Sequence, residues 1–161
     1  MTDYLVWFAE TAWLFLPAYF ANAAPVLLHG GGAVDRGYNW SDGRRVLGDH
    51  KTVIGCISGI FVGAVIALIQ GNLIQGFLFS LGAILGDLLF AFIKRRIGYP
   101  PGSSWPIGDQ VGFIVLAILF GSLIEPRPTI WQDVVMILTT IPVHYVTNLF
   151  AWGLRWKDRP W

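Results

Sequence analysis

The sequence predicts an all-α integral membrane protein: five transmembrane helices with two long cytoplasmic loops forming a polar site. Three observations lead there. The chain is 55% apolar, 15% aromatic and only 13% charged, whereas a soluble domain carries about 25% charged residues. Its charges cluster in a few connections, leaving an uncharged run of 35 residues from Thr52 to Gly86 and another of 15 from Gln110 to Ile124. Its cations also fall almost wholly on one side. Arg36, Arg44, Arg45, Lys51, Lys94, Arg95, Arg96, Arg155, Lys157 and Arg159 stand against Arg127 alone, a strong positive-inside pattern.

By length the chain is one domain, 1–161. The spans read roughly Tyr4–Leu28, Thr52–Gln70, Leu73–Ile93, Gln110–Ile124 and Thr129–Leu154. The first is too long, and its flank too acidic, for a cleaved signal peptide. The 35-residue run splits at Gly71-Asn72 into stretches of 19 and 14 residues, ~28 and ~21 Å at 1.5 Å per residue, the second continuing past Asp87 to Ile93, enough to cross a bilayer. The fourth is short and is expected to extend into its flanks. Orientation follows from the cations. The loops 29–51 and 94–109 and the C-terminus are placed in the cytoplasm, and the N-terminus outside. Trp105, Trp156 and Trp161 on one side, with Trp7 and Trp131 on the other, suit interfacial anchors. The outer connections, Gly71-Asn72 and Glu125–Pro128, are minimal. This fits an enzyme using a cytosolic solute better than an inverted-repeat transporter. Cys56 lies inside an apolar run and reads as a small buried residue. Nothing in the pattern points to nucleic acid.

Asp87 and Asp109 are the first candidates for chemistry. Each ends an uncharged run, where a carboxylate is costly and functional by default. Between them come Lys94, Arg95 and Arg96 and a Pro/Gly turn. Paired carboxylates suit a divalent cation, which prefers oxygen ligands, and the cations suit phosphate. The bland competitor is a set of ion pairs. It explains less well why Asp87 sits seven residues inward of Lys94, on the apolar side.

The first cytoplasmic loop is glycine-rich and basic, from His29 to Thr52. Gly43 to Gly48 begins like a P-loop, but Lys51-Thr52 arrives two residues late and no strand precedes it, so that reading fails. Lys51 and Thr52 instead open the second helix, where the dipole and free N–H groups attract phosphate. Asn22, three residues before Pro25, is a candidate base or ribose contact beside an interrupted helix. Gly55, Gly59 and Gly63, and Gly82 and Gly86, read as packing faces, the former also as a dimer face. His144 and Asn148, at i and i+4, read as a structural hydrogen bond more readily than as a metal pair.

These residues resemble the signature of CDP-diacylglycerol synthases: Gly86-Asp87, Lys94-Arg95, then Pro106 to Asp109. Ala91 stands near the position of that family's serine, and Gln110 stands where its arginine follows the second aspartate. The departures are similar to those of a related archaeal branch, the CDP-archaeol synthases. The matching blocks are Pro17–Pro25, the glycine-rich loop through Asp35, Arg45-x-Leu-Gly48-x-x-Lys51-Thr52, Gly55, and Gly86-Asp87 to Asp109-Gln110. Five blocks agree in order across residues 16–112. The resemblance implies an Mg²⁺-dependent transfer of CMP from CTP to an unsaturated archaeal ether-lipid phosphate, releasing pyrophosphate. By residue match, Asp87 and Asp109 would be metal ligands, with Lys94 beside them in catalysis. Asn22, Arg45, Gly48, Lys51, Thr52, Lys94, Arg95 and Arg96 would contact nucleotide or phosphates.

Two rivals remain at this point. Asp42-Gly43-x-Arg45 resembles the core of a CDP-alcohol phosphotransferase, without that family's further spaced aspartates. A small cation transporter would use Asp87 and Asp109 as ion sites, with Glu10 or Asp133 continuing the path.

Overall fold

The computed structural model describes residues 2–105 and 107–156. Lys157, Arg159 and Trp161, counted above among cytoplasmic charges and anchors, and Pro106 lie outside the described residues. Five helices follow in order: α1 Thr2–Leu27, α2 Val53–Ile69, α3 Leu73–Arg96, α4 Gly108–Gly121 and α5 Ile130–Gly153. α3 and α5 are each long and apolar enough to cross a membrane, and α2 and α4 are shorter apolar helices. The outward faces carry large apolar side chains such as Phe61, Ile74 and Phe150, all more than 60% exposed. A contiguous surface of this kind is suited to lipid rather than water.

Four expectations are corrected. α3 does not end at Ile93 but continues through Arg96, so Lys94, Arg95 and Arg96 occupy its last turn and not a loop. Cations there complement the negative end of the helix dipole. α4 does not extend through its C-terminal flank. It stops at Gly121 after 14 residues, about 21 Å of rise. α1 is not interrupted at Pro25 but runs through both Pro17 and Pro25 to Leu27. A proline leaves the carbonyl four residues earlier without its helical partner. For Pro17 that is Trp13, whose oxygen accepts a hydrogen bond from Gln70 Nε2. For Pro25 it is Ala21, whose oxygen faces Gly59 of α2. Finally, Gly55, Gly59 and Gly63 form the expected packing face, buried against α1 and α3, which leaves no dimer face at Gly55–Gly59.

α3 is the central helix. It packs on α1, α2 and α4, while α5 lies at the edge against α4 and α1. Phe15, Phe79, Phe113, Ile114 and Met136 meet in the core. The α3–α4 contact is backbone to backbone. A Cβ on Gly82 would lie 2.4 Å from Leu116 O, and one on Gly86 2.5 Å from Gly112 O. These glycines let two antiparallel helices touch, and that contact sets Asp87 next to the start of α4.

The connection from α1 to α2 folds back across the end of the bundle where α3 finishes. Antiparallel bridges join Ala33 to Thr52 and Asn39 to Arg45. Arg44 Nη1 donates to the carbonyls of Arg95 and Arg96, at 3.3 and 2.6 Å, and Arg96 donates back to Asp42, Arg44 O and Arg45 O. Arginine suits this clamp because its planar fork offers five donors.

Candidate functional site

Asp87 and Lys94 are seven residues apart on α3, two helical turns, and so share one face. Each belongs to an ion pair that crosses to another element. Lys51 Nζ, just before α2, donates to both oxygens of Asp87 at 2.7 Å. Lys94 Nζ, a buried ammonium, donates to Oδ2 of Asp109 in the first turn of α4. The two carboxylates belong to separate ion pairs, so the bland expectation of ion pairs is met. The cation on Asp87, however, is Lys51 from the first loop rather than Lys94, Arg95 or Arg96.

Asp109 is fixed further by its own hairpin. Trp105 N donates to Asp109 Oδ2 at 2.8 Å, and Asp109 N donates back to Trp105 O at 3.0 Å. Trp105 is half-buried and stacks on Phe90 of α3, packing one side of Asp109. Ile107 between them has φ +71°, a conformation costly for a β-branched residue and one that gathers at functional sites.

The other nominated residues fall into two groups. Gly48, Thr52, Arg45, Arg95 and Arg96 build the loop. Thr52 is the N-cap of α2, and its hydroxyl accepts from Gly55 N and Gly30 N. The first N–H groups of α2 are already taken: Val53 by Gly32 O, Ile54 by Gly30 O, Gly55 by the Thr52 hydroxyl, Cys56 by Thr52 O. The expectation of free N–H groups awaiting a phosphate there is therefore corrected. Arg95 donates to Leu47 O and Tyr99 O. Arg45 pairs with Asp35 at 2.7 Å and Asp49 at 2.8 Å. Asn22 is half-buried on α1, three residues before Pro25.

Asp35 is the loop's anchor, and spacing alone did not single it out for a role. Its side chain is 1% exposed and accepts from Gly37 N, Leu47 N, Gly48 N and the Arg45 guanidinium. Burial pushes its pKa up, but the Arg45 bond and the three backbone donors outweigh this and hold the carboxyl far below the usual range. A depressed folded-state pKa contributes stability above the unfolded value and loses it as pH falls toward the folded one. Protection of the loop amides against hydrogen exchange is therefore expected to decline below about pH 4, near the unfolded Asp value. Asp35→Asn should have lower protection factors at pH 7 and show a shallower acid dependence.

One cleft opens beside Asp109. Ser104, Trp105, Asp109, Gln110, His144, Tyr145 and Asn148 line it. The i,i+4 pair on α5 does form the structural bond the sequence favoured, Asn148 Nδ2 to His144 Nδ1 at 2.9 Å. Its place on the cleft wall was missed, because α5 meets the hairpin only through tertiary packing.

A protein-family model described as CarS-like, CDP-archaeol synthase, matches residues 4–161. The chain belongs to the CDP-archaeol synthase family. It is thus an enzyme of cytidylyltransferase class, and its setting is archaeal membrane lipid biosynthesis. The CDP-archaeol synthase of Pyrococcus abyssi is 42% identical to it over 94% of this chain and 97% of that protein. That of Methanocaldococcus jannaschii is 38% identical over 92% and 94%. A solved structure of an intramembrane enzyme for archaeal membrane lipids biosynthesis superposes with a TM-score of 0.80 at 34% identity, covering 88% of this chain and 94% of that one. The CDP-archaeol synthase family assignment displaces the phosphotransferase and transporter rivals. Asp133 also sits in the first turn of α5, whereas Asp87 and Asp109 lie near the C-terminal end of α3 and the start of α4.

Proposed function

We propose that this chain transfers CMP from CTP to an unsaturated archaeal ether-lipid phosphate of the 2,3-bis-O-geranylgeranylglycerol type, releasing pyrophosphate. The observation that supports it best is the pair of carboxylates on touching helices, each held by a lysine, at the edge of an apolar bundle. Asp87 and Asp109 are the residues that would hold Mg²⁺. Among the described residues no three His, Cys, Asp or Glu gather. Two carboxylates fit this ion, which is commonly bound through one or two carboxylates plus substrate phosphates and water. Its chemistry there would be to neutralise charge on the triphosphate.

The chain's own contribution is positioning and charge. Lys51 and Lys94 supply ammonium groups beside the carboxylates, and Asn22, Arg45, Gly48, Thr52, Arg95 and Arg96 frame the nucleotide side. An oxygen of the lipid phosphate attacks the α-phosphorus of CTP. The new P–O bond forms as the bond to the β-phosphate's bridging oxygen breaks, and pyrophosphate departs against the lysines. The lipid phosphate, with a second pKa near 6, is already an anion at neutral pH and needs no general base. Preorganised cations at the developing charge then supply most of the acceleration. The lipid's chains stay in hydrocarbon, so it would reach the site sideways from the bilayer. Purified protein given CTP, Mg²⁺ and the lipid phosphate should release pyrophosphate, and no release without the lipid is expected. Release that ignores the lipid, or none at all, would refute this reading.

The use of cytosolic CTP requires the site to face the cytoplasm, as five spans and the distribution of Lys and Arg propose. In a Cys56→Ser background, Gly43→Cys should react with an impermeant maleimide only after the cells are opened. Arg127→Cys should react in intact cells. The reversed pattern would overturn the orientation.

A further inference from the structure

We infer that Lys51 is an exchangeable counter-ion on Asp87, which couples divalent-cation binding to nucleotide binding at this site. The inference rests on the reading of Asp87 and Asp109 as the metal-holding pair. The two carboxylates are not equivalent. Lys51 Nζ takes both oxygens of Asp87 at 2.7 Å. On Asp109, Lys94 and Trp105 N both bond to Oδ2, and Oδ1 accepts no hydrogen bond among the described residues. A cation can therefore join Asp109 with Lys94 in place, whereas at Asp87 it meets the Lys51 ammonium on both oxygens and is favoured only once that ammonium swings away.

Lys51 is built to make that move. Its backbone is pinned, with its N–H on Gly48 O at 3.2 Å and its carbonyl on Val34 N at 2.7 Å, so the loop stays while the side chain swings. The side chain is 27% exposed, whereas that of Lys94 is 7% exposed and held between helices. Electrostatics set the order of binding. A cation arriving alone strands an ammonium next to a new positive charge. A triphosphate arriving alone draws Lys51 away and strands Asp87 beside a polyanion. When the two arrive together, the cation takes Asp87 and the triphosphate takes Lys51, and no charge is left unpaired. Each ligand thus raises the affinity for the other, and by linkage the effect is reciprocal.

The test is calorimetric titration of Mg²⁺ into the full-length, detergent-solubilised protein, without and with saturating CTP. Without nucleotide, Lys51→Met should bind Mg²⁺ more tightly than wild type by about 5- to 150-fold, the usual range of such couplings. The same variant should bind CTP more weakly. Lys51→Arg keeps the charge and should bind Mg²⁺ as wild type does, which also controls for folding. Lys94→Met should gain less, because Asp109 keeps an open oxygen. Equal or weaker Mg²⁺ binding by Lys51→Met than by wild type would overturn the exchange, and weaker binding by Asp87→Asn would leave the metal site standing. Wild-type Mg²⁺ affinity in Asp87→Asn at saturating CTP would instead overturn the metal site itself.

Discussion

Asp87→Asn and Asp109→Asn are each expected to lower turnover by about 10²- to 10³-fold, the scale seen when one group that stabilises developing charge is removed. Asparagine keeps the shape and removes the charge, so packing between α3 and α4 is preserved. Pyrophosphate release measured against Mg²⁺ concentration separates the two readings of these residues. If they hold the cation, the mutant curves shift to higher Mg²⁺ and one variant recovers partly there. If they only neutralise Lys51 and Lys94, the curves superimpose on wild type. Any loss would then appear in stability rather than in Mg²⁺ dependence, most of all for Asp109→Asn, which leaves the buried Lys94 ammonium unpaired. Asp42→Asn is the matched control. It removes the carboxylate of the Arg96 pair, 2.8 Å away and outside the proposed metal set. Its Mg²⁺ curve should stay at the wild-type position.

What the sequence disclosed and what it concealed divide along physical lines. The helices were legible because apolar runs between charged connections mark them directly. Thr129 was marked as the start of the last span, and it caps α5 with Gln132 in a capping box. The C-terminal limit of α3 was misjudged because Lys94–Arg96 were read as loop charge. A helix end accepts cations, and these arginines hold the first loop by hydrogen bonds from both directions. The identity of Asp87's partner was not legible, since Lys51 lies 36 residues away and only the folded loop carries it there. Asp35 was visible as part of a matching block, but its burial under three backbone donors was not. A loop's internal hydrogen bonds follow from its turns, and glycines and arginines scattered through a loop give no periodic signal from which to read them. His144 and Asn148 show the same limit: their mutual bond is local and predictable, while the cleft they line is tertiary.

Gly86→Ala is expected to damage both stability and catalysis. The new Cβ would sit 2.5 Å from Gly112 O and 2.9 Å from the Phe113 Cα. Both are backbone atoms of α4, so no side-chain rotation relieves the clash, and the two helices must part. Overpacking of this kind costs about 1–3 kcal/mol and occasionally more. The displacement acts where it matters for chemistry, one residue before Asp87 and one turn from Asp109. Gly82→Ala, aimed at Leu116 O from 2.4 Å, should act similarly on stability but less on turnover, because it lies a turn further from the carboxylates. Gly153→Ala is the control: its Cβ meets nothing within 4 Å and should leave both properties intact. Thermal unfolding in detergent gives the stability change, and pyrophosphate release below the unfolding range gives the catalytic one. A Gly86→Ala protein with the wild-type midpoint and turnover would mean that the close α3–α4 approach does not position the site. A lowered midpoint with a larger fractional loss of turnover than Gly82→Ala would tie that approach to Asp87 and Asp109.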